Sequence, residues 1–125
     1  MHLETRLKLY PKDMKKSRTF YSRTLSFPIV HEWKRGKNDE GVMFDAGGLI
    51  IELLSSEKTY KKIQGCDVSL EVNDVTTLWA EFKNKKSILF PLRHNAWGDS
   101  SFCIADPDGF EITFFTKDSK RLNKK

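Results

Sequence analysis

The sequence predicts an α+β fold: two pseudo-symmetric βαβββ modules whose strands form a curved sheet around a cleft. Three observations predict it. Residues 101–111 read Ser-Phe-Cys-Ile-Ala-Asp-Pro-Asp-Gly-Phe-Glu, a strand and a tight turn, and a second strand follows as Ile112-Thr113-Phe114-Phe115. Pro107 fixes φ for the turn, the two Asp side chains can bond nearby backbone, and Gly109 can take a positive φ. The same layout lies 61 residues earlier, as Phe44-Asp45-Ala46-Gly47-Gly48 followed by Leu49-Ile50-Ile51-Glu52-Leu53, so that Gly48 falls on Gly109, Ile51 on Ile112 and Leu53 on Phe114. The offset also carries Leu7 onto Val68, Leu9 onto Leu70, Asp13 onto Asp74 and Tyr21 onto Phe82. An internal repeat sets the architecture before any single element does. Two copies are too few for a solenoid. A single pseudo-symmetric domain over 1–116 follows, with module one at 1–54, a polar linker at 55–65, module two at 66–116 and a basic tail at 117–125.

Each element has its own reason. From Leu3 to Tyr10, Leu3, Thr5, Leu7 and Leu9 alternate with Glu4, Arg6, Lys8 and Tyr10, the period of a strand with one apolar side. Asp13 can cap a helix over Met14 to Leu25, where Ser17, Phe20, Tyr21, Thr24 and Leu25 share a face. Phe27 to Trp33 reads as a strand that Pro28 starts or keeps at an edge. Arg35 to Glu40 is a charged turn around Gly36, and Gly41 to Asp45 with Leu49 to Leu54 form a hairpin. In the second copy Val68, Leu70 and Val72 alternate with Asp67, Ser69, Glu71 and Asn73. Asn73 or Asp74 caps a helix bearing Val75, Leu78, Trp79 and Phe82. Ile88 to Arg93 is a strand interrupted by Pro91, and Ser101 to Ala105 with Glu111 to Phe115 close the pattern. A helix must bury its stripe. Ile51, Leu53, Ile112 and Phe114 therefore belong to the core, and Ile50, Glu52, Leu54, Glu111, Thr113 and Phe115 face outward, where a concave sheet would offer a ligand site.

Composition narrows the function classes. A chain of 125 residues fits one domain with a useful core. No run of about 18 apolar residues would span a membrane, and the polar N-terminus lacks a signal peptide. Cys66 and Cys103 lack metal-type spacing, so reduced thiols and a cytoplasmic location are expected. The net charge of +5 sits mostly in the tail, where five basic residues and one acid give +4, against 17 basic and 16 acidic residues elsewhere. A short charged end is a solvated segment rather than a reader of DNA, so no nucleic-acid partner is expected.

The pattern Asp13-x-x-x-Ser17-x-x-Phe20-Tyr21-x-x-x-Leu25-x-Phe27, with Trp97-Gly98, Phe102 and Asp106-Pro107-Asp108-Gly109-Phe110, resembles the vicinal oxygen chelate superfamily. That group holds glyoxalase I, extradiol dioxygenases, fosfomycin thiol transferases and bleomycin resistance proteins. The resemblance spans residues 3–116 and implies paired modules of the kind the repeat predicts. It also implies a divalent-metal site at Arg6, Glu52, Asp67 and Thr113 in metal-dependent members. Only Glu52 is a residue type usual there.

Arg6 brings donors and a fixed positive charge. At 4 Å and an effective dielectric of 20, a unit-charge pair is worth about 4 kcal/mol, so a divalent ion would meet roughly twice that in repulsion. Glu52 and Asp67 alone would hold one divalent ion weakly. The simpler expectation is that Arg6 takes the metal's electrostatic place, pairing with Glu52, Asp67 or both, with no cofactor. Arg6, Lys8, Tyr10, Glu52, Asp67, Ser69, Trp97, Glu111, Thr113 and Phe115 are the candidate ligand contacts, and none is assigned a catalytic role. His31 and His94 fit surface or packing roles. Cys103 alternates toward the same side without a base nearby.

The leading expectation is a binding protein that sequesters or senses an anionic or aromatic small molecule. The alternatives are a metal-dependent lyase, isomerase or dioxygenase with atypical ligands, and a partner-binding role without a ligand. The resemblance implies a homodimer, since relatives of this size commonly form one, and exposed strand edges in each module favour that assembly.

Overall fold

A computed structural model of the chain describes residues 3–55 and 62–118. Most of the expected linker, 56–61, and most of the expected tail, 119–125, lie outside the described residues. The chain divides into two compact units, Met1–Lys62 and Ile63–Lys125. Each has the βαβββ order that the repeat predicts, so the fold is α+β with two four-stranded sheets and two helices.

The first unit comprises β1 (Arg6–Leu9), α1 (Met14–Thr19), a wide turn of π-helix (Phe20–Thr24), β2 (Ile29–Gly36), β3 (Asp39–Asp45) and β4 (Ile50–Leu54). The sheet order is β1-β4-β3-β2, with β1 parallel to β4 and the other pairs antiparallel. β1 is shorter than the expected run from Leu3, because ladder pairing with β4 begins at Arg6 and leaves Leu3 95% exposed. Asp13 caps α1 as expected: its side chain accepts from the Lys16 N–H at 3.0 Å. The helical run does continue to Leu25, but its last turn widens, with the Leu25 N–H donating to the Phe20 carbonyl. Leu9, Phe20, Tyr21, Leu25, Val42, Phe44, Ile51 and Leu53 form the core between helix and sheet. Tyr21 is its hub, with ring centroids 5.1 Å from Phe20 and 5.7 Å from Phe44.

The second unit repeats this as β5 (Val68–Glu71), α2 (Val75–Phe82), β6 (Ile88–Asn95), β7 (Asp99–Ala105) and β8 (Glu111–Lys117), in the order β5-β8-β7-β6. Asp74, rather than Asn73, is the cap, and its carboxylate accepts from the N–H groups of Thr76 and Thr77 and from the Thr77 hydroxyl. Leu70, Val75, Phe82, Phe102, Ile104, Phe110, Ile112 and Phe114 form the core. Strand β8 runs one residue into the stretch read as tail: Lys117 pairs in register with Asp99 and lies 3.6 Å from Glu71.

The turn that opened the repeat is built as its residues require. The Asp106 carboxylate accepts from the N–H groups of Asp108 and Phe110, and Gly109 has φ of +86°. Its mate Gly48 also has positive φ, and the Asp45 carboxylate accepts from the Gly47 N–H.

Candidate functional site

Each sheet has a face packed on its helix and a far face. On the far face of the first sheet, register aligns Lys8, Glu52, Met43 and His31 in one row across β1, β4, β3 and β2. Glu52 was expected to point outward. It lies on the far face, yet it is only 4% exposed, and its Oε1 has no hydrogen-bond partner among the described residues. A buried carboxylate oxygen without a donor is costly. A donor or a positive charge brought beside that oxygen would relieve the cost.

Arg6 does not fill that place, contrary to expectation. Register sets it beside Ile50, one same-face step from Glu52, and its guanidinium is held by Glu4, with Nη2 at 2.7 Å and Nε at 2.8 Å from Oε2. Lys8, exposed, is the cation in register with Glu52. Tyr10 follows β1 and is 45% exposed. At the outer edge of the same face His31 lies 5.6 Å from Trp33, and the Trp33 ring covers Gly41. The Arg35 guanidinium stands over Trp33 and, through two hydrogen bonds, holds the Asp39 carboxyl below its ordinary value.

On the far face of the second sheet a cavity of about 190 Å³ is bounded by Asp67, by Glu111 and Thr113 of β8, by Ser101 and Cys103 of β7, and by Phe90 and Arg93 of β6. It gathers three of the expected residues, Asp67, Glu111 and Thr113. Cys103 faces the same side, with Sγ 3.9 Å from Glu111 Oε1. Burial pushes the Cys103 thiol up from its ordinary value; a hydrogen bond with Thr113 acts against this, and the charges of Glu111 and Asp67 add to the rise. The thiol is thus kept neutral and is a poor nucleophile. Ser69 lies opposite Thr113 in register and is exposed, and Phe115 lies one same-face step further along β8. Trp97, 66% exposed, sits in the turn between β6 and β7 and does not border this cavity.

Phe90 and Arg93 were missed as site residues. They are three apart on β6 but pair with Cys103 and Ser101, two apart on β7. A bulge at Pro91 therefore puts both on one side, with the guanidinium carbon 5.9 Å from the Phe90 ring centroid. Strict alternation assigns them to opposite faces. Pro91, which cannot donate to a ladder, was the available signal.

The donors do not suit a divalent ion. Among the described residues no group of three His, Cys, Asp or Glu side chains is placed to hold a metal ion. Glu52 has a lysine in register beside it, and the carboxylates of the second face share their cavity with Arg93, the hydroxyls of Ser101 and Thr113 and a protonated thiol.

Comparison with known proteins agrees with this architecture. The family model described as Glyoxalase/Bleomycin resistance protein/Dioxygenase superfamily matches residues 2–114. No curated protein matches the chain. A superfamily member from Sphaerobacter thermophilus DSM 20745 is 19% identical with a TM-score of 0.75, covering 94% of this chain and 98% of its own. A glyoxalase/bleomycin resistance protein/dioxygenase from Alicyclobacillus acidocaldarius is 15% identical with a TM-score of 0.71, covering 97% and 96%. TioX from Micromonospora sp. ML1 is 16% identical with a TM-score of 0.72, covering 93% and 99%. At these identities the structures speak for the fold, while the family match extends over nearly the whole sequence: the chain belongs to the glyoxalase/bleomycin resistance protein/dioxygenase superfamily.

Proposed function

We propose that the protein binds a small molecule on the far face of its first sheet and sequesters or senses it without transforming it. The observation that carries this reading is the buried Oε1 of Glu52, which lacks a donor among the described residues. A ligand N–H or O–H would supply one. Lys8, in register beside it, favours an anionic group on the same ligand. Arg6 adds less to that preference than expected, because Glu4 holds it. The aromatic side chains at His31 and Trp33 on the same face favour a ring. A phenolic or amino-substituted aromatic acid combines these features. Retention without chemistry fits a Glu52 carboxylate whose register neighbours are Lys8 and Met43.

A thermal-shift screen of small acids, phenols and antibiotics tests the proposal, with Glu52→Met as the control. The expected result is a hit whose shift disappears in the variant. Hits that survive unchanged in Glu52→Met, or a screen without hits, would count against it. The competing reading, a metal-dependent lyase, isomerase or dioxygenase, predicts stoichiometric Ni²⁺ or Mn²⁺ binding in a calorimetric titration. We also propose a homodimer formed through the exposed edge strands β2 and β6, which size-exclusion chromatography with light scattering tests directly.

A further inference from the structure

The two units follow one pattern, so a place filled in one and open in the other is informative. On the helix side of the second sheet, Trp79 and Phe82 cover Phe102, with ring centroids at 5.2 Å and 5.9 Å. Helix α2 packs on β6, β7 and β8, whereas α1 packs mainly on β4. The offset of 61 places Arg18 where the second unit has Trp79. Register places Val42 where it has Phe102, since Val42 pairs with Leu53 and Phe102 with Phe114. Two rings are thus replaced by a valine and by an arginine bonded to Glu32 at 2.7 Å.

What remains is a groove of about 380 Å³ bordered by the side chains of Met14, Arg18, Glu32, Lys34, Glu40 and Val42. Trp33 and Gly41 also border it, and the Trp33 ring lies over Gly41. The apolar part is Val42, 2% exposed, with Met14 and the methylene stems of Arg18 and Lys34. Its charges balance: Arg18 is bonded to Glu32, and Lys34 is the register partner of Glu40. The groove therefore favours neither an anion nor a cation, and its volume falls in the range of small-molecule sites.

We propose that this groove binds a small neutral aromatic molecule of the indole type, taking the place that Trp79 fills in the second unit. The ring lies against Met14, above the buried Val42, with its face toward the Arg18 guanidinium. Its N–H is within the reach of Glu32 or Glu40. The site lies on the helix side of the first sheet and does not depend on the far-face reading above.

Titration of the full-length protein with indole, followed by amide chemical shifts, tests it. The expected dissociation constant is on the order of 0.1–1 mM, with the largest shifts at Met14, Arg18 and Val42, and sodium benzoate binding more weakly. Shifts centred on Met43 and Glu52, no saturable shifts, or tighter binding of benzoate would overturn the assignment. The double substitution Arg18→Trp with Val42→Phe transplants the filling of the second unit. It should weaken indole binding at least roughly tenfold and raise Tm by about 2–4 °C. A folded double variant that binds indole as tightly as the parent would refute the site. Should that variant not fold, Arg18→Ala at a half-exposed position decides instead: a roughly two- to fivefold loss is expected, and unchanged affinity refutes the ring's placement against the guanidinium.

Discussion

Glu52 sits at the centre of β4, 4% exposed, with one carboxylate oxygen lacking a donor among the described residues. A side chain kept for packing would be apolar there, as Met43 is in the same row. Replacing Glu52 by methionine should therefore raise stability by about 1 kcal/mol in urea denaturation while removing ligand binding. A loss of stability instead would mean that the carboxylate is structurally engaged. The two cysteines make a second contrast. Cys66 is exposed and Cys103 is buried, with its thiol held up by burial and by neighbouring negative charge. Iodoacetamide near neutral pH should label Cys66 first, and Cys103 should react appreciably only as pH rises well above the ordinary thiol range, as mass spectrometry of digests would show. At this scale the sequence was only partly legible. It marked Glu52 and the Asp67, Glu111 and Thr113 group. It could not show that Glu4, two residues away on the same face, would capture Arg6, because local competition between carboxylates is settled by side-chain reach.

Among the elements, the caps are the most legible and the most testable. Asp13→Ala should cost about 1 kcal/mol, within the range for a lost helix cap. Asp74→Ala should lower the melting temperature further, since three hydrogen bonds end on that carboxylate rather than one. Those bonds hold the Asp74 carboxyl below its ordinary value. Its contribution to stability is present above the unfolded carboxylate range and is lost as pH falls through the lowered folded value. The difference in Tm between the parent and Asp74→Ala should accordingly shrink on acidification.

Strand β3 holds a different constraint: a Cβ on Gly41 would meet the Trp33 ring at 2.3 Å. The far end of an edge-strand side chain can move, so Gly41→Ala should fold, with Trp33 displaced and its hydrogen bond to Asp39 lost. A red shift of tryptophan emission should report it. Alternation did not reveal this, nor did it predict the bulges in β2 and β6, because pairing across strands decides a residue's face wherever one strand carries an extra residue.

For the molecule as a whole, the repeat was the strongest signal, and its success has a physical basis. An offset shared by strand, cap, helix and turn constrains topology more tightly than any propensity. Where the copies diverge, as at Arg18 and Trp79 or Val42 and Phe102, the offset alone gave no reason to expect open space in one and a filled place in the other; that required the packing of each helix. The strand order has a further consequence. Leu9 meets Leu53 and Glu71 meets Phe115, so the opening strand of each half finds its neighbour only at that half's last strand. On a ribosome the amino-terminal half has every ladder partner it needs once Leu54 has emerged, and it can condense before the carboxy-terminal half is translated. Within each half the three-stranded meander can assemble early, leaving the parallel strand to dock as the slow, long-loop closing event.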